Sequence, residues 1–279
     1  MPHINKRLKI FTVLIYPLIG TAAFLSIVFN TPQAATAIEW GNLIKNVINL
    51  GDAASISSKR EVRLGESINE QMVHSQIKLY GNPELDAYVN EVGQRIAAHS
   101  DRPNIPYKFQ VVDQPTVNAF ATMGGFVYVH TGLLKSVENE AQLASVLAHE
   151  TGHINARHIV KDMQKQAIEG GIMSLAGVSN SQLANIGVNL AINKPGSRGH
   201  ELEADRLGLK FLAKSGYPQS QMVQFMQGLL KMKAPPTFLN DHPGVPQRIK
   251  ELQKHIDPNF PETTLGMDSA AYKKHIRML

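Results

Sequence analysis

The chain has 279 residues, of which 43% are hydrophobic and 18% are charged, and its formal net charge is +5. These values are ordinary for a globular protein and leave room for one substantial domain after a targeting segment. The absence of cysteine excludes disulfides, a cysteine-ligated zinc site and a lipid-anchored N-terminal cysteine. No basic stripe with interleaved aromatic residues occurs, so we expect no nucleic-acid partner.

The N-terminal residues have the three parts of an export signal. Three basic residues precede an apolar stretch over residues 10–29, and Ala35-Thr36-Ala37 has the small-residue pattern of a cleavage site. We therefore expect residues 1–37 to be a signal peptide and the mature chain to begin at Ile38. Because the apolar stretch approaches the ~20 residues that span a bilayer, a retained membrane anchor is the alternative. Residues 1–37 carry three positive charges and no negative ones, so their removal lowers the net charge from +5 to +2.

Helices dominate the remaining pattern, with a few short strands between them. Apolar residues at helical or alternating spacing, with Gly and Pro as breakers, predict these elements in chain order: helices over residues 61–79 and 85–98, a strand over 107–112, a β-hairpin of 118–121 and 126–130 with its turn at 123–125, and helices over 141–165, 199–214, 219–231, 246–255 and 270–276. This order predicts a mainly helical α+β fold. We assign residues 38–60 to a leader, 61–256 to one domain and 257–279 to a C-terminal surface tail.

The segment over residues 169–193 is rich in Gly, Ser and Asn with scattered apolar residues. It is too polar for a membrane span. An ordinary pair of weak helices fits this pattern. A mobile lid over a cleft also fits it, because glycine permits hinges.

The run His149-Glu150-Thr151-Gly152-His153 is an HExxH motif at the end of an apolar, helix-forming stretch. On a helix, His149 and His153 project from the same face and can hold one zinc ion. Glu150 can reach a water in the open position of that metal. A solvated helix with two ordinary histidines is the alternative, but two histidines on a buried helix need polar partners, and a metal satisfies that need.

A second acidic segment supplies the remaining ligand. Glu201 follows His153 by 48 positions and can serve as the third zinc ligand. Asp205 lies four residues later on the same helical face and can accept the free ring N–H of a ligand histidine. Two histidines, one glutamate and one water make the open site of a zinc peptidase, with one zinc per chain. The alternative is a solvated acidic face formed by Glu201, Glu203 and Asp205.

Several separated motifs resemble those of one peptidase family. They are HExxH, the Ser197-Arg198 to Asp205 segment, Asn118-Ala119-Phe120-Ala121, the run from Gly124 to Leu134, and Asp241-His242-Pro243-Gly244 with Arg248, within residues 65–256. In this order they resemble metallopeptidase family forty-eight, which includes the CAAX prenyl endopeptidases, the heat-shock protease HtpX and periplasmic proteases that police outer-membrane assembly. The chain looks most similar to the small soluble periplasmic members, because it lacks the several membrane spans of HtpX. We therefore expect residues 61–256 to form a zincin domain, gluzincin-like, with a small sheet beside the HExxH helix.

The resemblance implies further site residues. His242 would approach the metal and either stabilise the oxyanion or occupy the open metal position at rest, and Arg248 would assist or hold the loop. The alternative for His242 is an ordinary loop histidine. His158 lies five residues beyond His153, so on a continuous helix we expect it to point away from the site.

The second strand of the hairpin provides a candidate substrate-binding edge. An extended peptide can pair with an exposed strand beside the metal, which gives affinity without reading much sequence. The residues expected to bind the substrate in this way are Phe126, Val127, Tyr128 and Val129. A plain sheet edge is the alternative.

These features predict a zinc metalloendopeptidase of protein quality control. We expect it to be exported to the periplasm or cell envelope, where it hydrolyses misfolded or misassembled envelope proteins and is membrane-associated if the N-terminal segment is retained. The alternative function is a chaperone-like binder of unfolded envelope proteins with a retained metal site. An intact Glu150 argues for the enzyme, because a purely structural site needs no base there.

Overall fold

The computed structural model describes residues 56–169, 175–261 and 263–279. The expected signal peptide and most of the expected leader lie outside the described residues. The helices are α1 (Ser58–Ser75), α2 (Pro83–Ala97), α3 (Thr131–Ser136), α4 (Glu140–Asn155), α5 (His158–Glu169), α6 (Asn180–Asn193), α7 (Arg198–Lys214), α8 (Ser220–Leu230), α9 (Thr237–Asp241), α10 (Val245–His255) and α11 (Ser269–His275). None of these helices has the length and apolar character needed to cross a membrane. The prediction of a mainly helical α+β fold is confirmed.

A three-stranded sheet lies beside the helices. Its strands are β1 (Lys108–Val112), β2 (Ala119–Ala121) and β3 (Phe126–His130), in the order β1-β3-β2. β3 runs parallel to β1 and antiparallel to β2, so the predicted hairpin is confirmed. The hairpin turn requires glycine at Gly124, where φ is 76° and the backbone of α1 packs against the turn.

The position of β3 corrects the predicted substrate-binding edge. Both sides of β3 are paired, because Val127 lies opposite Phe109 of β1 and Ala121 of β2. All five residues of the strand are buried. Phe126, Val127, Tyr128 and Val129 therefore offer no free backbone edge to a substrate. In the described sheet, the strand with a free edge next to the histidines is β2, since β2 pairs only with β3.

Helix α4 forms the centre of the fold. The Asn139 side chain accepts a hydrogen bond from the Gln142 N–H and caps the start of the helix, and nearly all of the helix is buried. Its most extensive contact is with α7. Gly152 makes this contact close, because a Cβ at that position would lie 2.6 Å from the Ala204 carbonyl oxygen. The close approach of α4 and α7 brings the two predicted ligand segments together.

The structure corrects the ends of two predicted helices. The helix predicted over residues 61–79 ends at Ser75, and Leu79 instead forms an isolated bridge to Val112. The helix predicted over residues 141–165 breaks after Asn155 and resumes at His158. Arg157 lies between the two parts with φ of 57°, a left-handed conformation that ends the helix. Two short helices, α3 and α9, were not predicted.

The segment predicted as a lid or a weak helical pair contains α6. A reciprocal hydrogen-bond pattern between Ser179 and Gln182 caps this helix, and its buried side chains pack on α1 and α5. Leu190 and Ile192 line the cleft described below. Whether α6 moves as a lid stays a prediction.

The C-terminal residues pack more closely than the predicted surface tail. The short helix expected over residues 270–276 is present as α11. Its Tyr272 is buried, and the Tyr272 hydroxyl donates to the Leu134 carbonyl. The Tyr80 hydroxyl donates to the Met278 carbonyl. These contacts attach Tyr272 and the end of the chain to the core, while most of the described residues after 256 are exposed.

Candidate active site and metal centre

Four side chains, three of them buried and that of His153 partly buried, converge between α4, α7 and the segment after α9. The Nε2 atoms of His149 and His153 lie 3.0 Å apart. Glu201 of α7 places Oε2 3.3 Å from His149 Nε2 and Oε1 3.5 Å from His153 Nε2. His242 places Nδ1 3.1 Å from Glu201 Oε2. One ligand atom from each of the four lies within 4.8 Å of the others, so the group can hold a metal ion.

The donor atoms of this group fit a cation. Glu150 Oε1 and Glu201 Oε1 are buried and have no hydrogen-bond partner. A buried carboxylate oxygen without a donor costs free energy, and a metal ion removes that cost. Two imidazoles and one carboxylate, with a further position available, form the ligand set of a catalytic zinc site. These residues therefore fit the metal that the HExxH motif implies.

Electrostatics point to the same conclusion. Burial and the Arg248 charge lower the pKa of His149, but hydrogen bonds to Asp205 and Glu201 outweigh them and raise it to about 9. Burial opposes ionisation of Glu201, yet the His242 and His153 charges hold the pKa of Glu201 well below its ordinary value. The carboxylates therefore favour the protonated, positively charged form of His149. A divalent cation bound in the site can take the place of the proton that His149 carries.

Arg248 and Asp205 form a buried pair behind the ligand group. The guanidinium of Arg248 makes two contacts of 2.7 Å with the Asp205 carboxylate and one of 2.9 Å with Glu201 Oε2. Asp205 Oδ1 lies 2.9 Å from His149 Nδ1, as expected for a carboxylate that accepts the free ring N–H of a ligand. Arg248 also donates to the His242 carbonyl at 3.3 Å. Arg248 thus ties α7 to the loop of His242.

His242 reaches the group because its loop is attached to β2. The Phe238 N–H donates to the Val117 carbonyl, and the Asn118 amide donates to Asp241 Oδ2 at 2.8 Å. The His242 ring stacks on Phe238, and its Nε2 donates to the Ala119 carbonyl at 3.1 Å. With Nε2 protonated, Nδ1 is free to face the ligand group. This arrangement agrees with the resting-position alternative for His242.

Glu150 lies at the mouth of the group and faces a cleft. The side chain is 1% exposed, and burial raises the pKa of its carboxyl. The cleft has a volume of about 630 Å³. It is lined by Glu150, by three of the four converging side chains, by apolar residues of β2, α5 and α6 and by further polar residues. Its apolar lining includes Phe120, Ile159, Leu190 and Ile192. A raised carboxyl pKa beside a metal group in a cleft is typical of a general base.

His158 is a site residue that the sequence analysis missed. Its Nδ1 lies 2.8 Å from His153 Nδ1, and its Nε2 lies 3.1 Å from Glu203 Oε2. Burial lowers the pKa of His158 to about 4, so its ring is neutral. The expectation that it points away is wrong, because it assumed a continuous helix and the chain turns at Arg157. No periodic signal in the sequence marks that turn.

This geometry defines a class of protein. An HExxH helix, a glutamate from a second helix and a small sheet beside them form a zincin-like metallopeptidase domain. The model of peptidase family M48 matches residues 83–256, and the chain belongs to that family. The predicted family and the predicted metallopeptidase class are confirmed.

The curated relatives agree with this class. The chain is 30% identical over 81% of its length to the beta-barrel assembly-enhancing protease of Yersinia pestis, and 28% identical over 75% of its length to the Escherichia coli (strain K12) protease of that name. It is also 31% identical over 61% of its length to the mitochondrial metalloendopeptidase OMA1 of Schizosaccharomyces pombe. These matches cover 50%, 46% and 52% of the relatives, so the chain spans about half of their length.

Proposed function

We propose that the protein is a zinc-dependent endopeptidase that hydrolyses misfolded or misassembled proteins of the cell envelope. The observation that carries the proposal is the buried Glu150 carboxyl, which faces the cleft beside His149, His153 and Glu201. We assign the metal to those three residues, with one zinc per chain. Relatives named as a beta-barrel assembly-enhancing protease and a mitochondrial metalloendopeptidase support protein substrates.

Peptide hydrolysis requires a nucleophile, a site for the oxyanion and a proton for the leaving amine. When bound, zinc supplies a water of pKa about 7 and polarises the scissile carbonyl. Glu150 is the residue that would accept a proton from the attacking water and deliver one to the leaving amine, and its raised pKa favours this role. Asp205 accepts from His149 Nδ1–H and keeps Nε2 of that ring free for the metal.

We assign substrate pairing to β2 rather than to β3. β2 is an edge strand, and Phe120 and Ala121 line the cleft next to Glu150. An extended polypeptide that adds to this edge gains backbone hydrogen bonds, and its side chains meet the apolar lining of the cleft. Such a site accepts unfolded segments of many sequences, which fits a quality-control substrate.

His242 places Nδ1 3.1 Å from Glu201 Oε2, within the ligand group. We propose that it closes the site at rest and leaves with its loop when a polypeptide enters along β2. The bond from His242 Nε2 to the Ala119 carbonyl supports this, because it uses a backbone acceptor of β2. Oxyanion stabilisation by His242 is the alternative role.

The proposed location is the periplasm or cell envelope, and it rests on the sequence of residues 1–37. Processing is tested by N-terminal sequencing of protein isolated from cell fractions. A mature chain that begins at Ile38 supports a cleaved signal. An intact apolar segment in the membrane fraction supports the anchor and membrane association.

The peptidase is tested with casein as an unfolded substrate. Zinc-loaded protein should cleave casein, a chelator should stop cleavage, and added zinc should restore it. Glu201→Ala should bind zinc much more weakly than wild type, and unchanged stoichiometry and affinity would remove Glu201 from the ligand set. Zinc-loaded protein that binds casein without cleaving it would support the chaperone-like alternative.

A further inference from the structure

The chain leaves the HExxH helix after Asn155 and begins a new helix at His158. Arg157 adopts the left-handed conformation there, which is uncommon for a residue with a side chain and persists where neighbours hold it. The Arg157 guanidinium contacts the buried Glu61 carboxylate at 2.9 Å and donates to the Ile56 carbonyl. Arg102 contacts the same carboxylate at 2.8 Å. These contacts hold the turn that brings His158 back toward His153.

His158 lies between a candidate metal ligand and a carboxylate. Its ring is 3% exposed, and the His200 ring stacks on it with centroids 4.0 Å apart. His153 directs Nε2 at the ligand group and Nδ1 at His158. His158 directs its second nitrogen at Glu203.

When a metal is bound, only one placement of protons gives every ring nitrogen of His153 and His158 a partner and lets the Glu203 carboxylate accept a hydrogen bond. Glu203 is ionised and accepts, so His158 Nε2 carries a proton and donates. His158 Nδ1 then lacks a proton and accepts from His153 Nδ1–H. His153 Nε2 is left with a free lone pair that points at Glu201 and His149. This is the tautomer that a metal-binding histidine needs.

We propose that His158 and Glu203 are positioning residues that fix the tautomer and ring orientation of His153 for metal binding. The proposal rests on the proposed metal site. Under this proposal each ligand histidine has a carboxylate partner. Asp205 contacts His149 directly, and Glu203 acts on His153 through His158. Glu201, Glu203 and Asp205 of α7 then all serve the metal, so the acidic run is not a solvated face.

The test compares the affinity of the full chain for zinc, measured by competition with a chelator of known affinity. His158→Leu removes the acceptor and should weaken zinc binding by about 10–100-fold, the usual loss when such a partner of a ligand is removed. His158→Asn keeps an oxygen acceptor near the Nδ1 position and should restore most of that affinity. Glu203→Ala should also weaken binding, by less than His158→Leu, because His158 can still accept.

Two controls separate positioning from folding. Lys161→Met removes a second contact of Glu203, at 3.4 Å, without touching His153, so it should leave zinc affinity unchanged. The visible absorption spectrum of the cobalt-substituted protein should change with His158→Leu and return toward wild type with His158→Asn. Glu203 is partly exposed, so Glu203→Ala tests the proposal even if His158→Leu does not fold.

The outcomes are distinguishable from failure of the proposed function. If wild type binds no zinc, the metal site itself is wrong. If wild type binds zinc and folded His158→Leu, or folded Glu203→Ala, has the wild-type affinity and cobalt spectrum, the positioning role is wrong. Equal losses with His158→Leu and His158→Asn would also overturn it, because the acceptor would then be irrelevant.

Discussion

Arg248 should be among the most sensitive positions of the fold. Its side chain is 1% exposed and neutralises two buried carboxylates, those of Asp205 and Glu201. Arg248→Leu keeps an apolar side chain in the core but removes the guanidinium that contacts both carboxylates. Breaking a buried ion pair by removing one partner costs about 3–5 kcal/mol. For a domain of this size that corresponds to a fall in Tm of about 6–20 °C.

The assay is urea unfolding of metal-free protein in chelator, with circular dichroism as the signal. The control is Arg206→Leu, which removes the same charge from an exposed position of α7, next to Asp205, and should change stability by less than about 0.5 kcal/mol. The double variant Arg248→Leu with Asp205→Leu removes one of the abandoned carboxylates. It should be at least about 1 kcal/mol more stable than the sum of the two single losses predicts. Additive losses, or a loss from Arg248→Leu no larger than that of the control, would refute the reasoning.

Three further predictions concern α4 and its surroundings. Gly152→Ala should destabilise the protein by about 1–3 kcal/mol, because the added Cβ meets the Ala204 carbonyl oxygen. The measurement is denaturant unfolding, and the control is Gly228→Ala, where nothing lies within 4 Å of the added Cβ. In metal-free protein, the raised pKa of His149 should give stability that is fully present below its ordinary value of 6.5 and lost as pH rises through about 9. A pH series of unfolding curves should show this loss in chelator and not with saturating zinc, and a flat metal-free profile would contradict it. His242→Ala should speed cleavage of poor substrates in steady-state assays. A fall of about 10²–10³ in kcat would instead indicate oxyanion stabilisation, and wild-type kinetics would contradict both roles.

The parts of the site that depend on local spacing could be predicted from the sequence. His149 and His153 are four apart on one helix, so their convergence follows from helical geometry once the helix is recognised. Glu201 and Asp205 follow the same rule on α7. The family resemblance added His242, which has no spacing relation to the other residues and reaches them through contacts between its loop and β2.

The remaining features depend on contacts between distant segments. His158 approaches His153 because Arg157 leaves the helix, and the residue that holds Arg157 is Glu61, almost one hundred positions earlier. The central position of β3 follows from its parallel pairing with β1, which alternation within a single strand does not reveal. Tyr272 is buried in the main hydrophobic core and donates a hydrogen bond to α3, a helix that has no clear periodic pattern.

The central claim is that Glu150 is the base of a zinc peptidase whose metal is held by His149, His153 and Glu201. The measurement that tests it most directly is casein cleavage by wild type and Glu150→Gln at equal, measured zinc content. We predict one zinc per chain in both proteins and a rate at least about 10²-fold lower in the variant, because only the base is lost. Wild-type turnover by zinc-loaded Glu150→Gln, or undiminished cleavage by wild-type protein stripped of zinc, would contradict the claim.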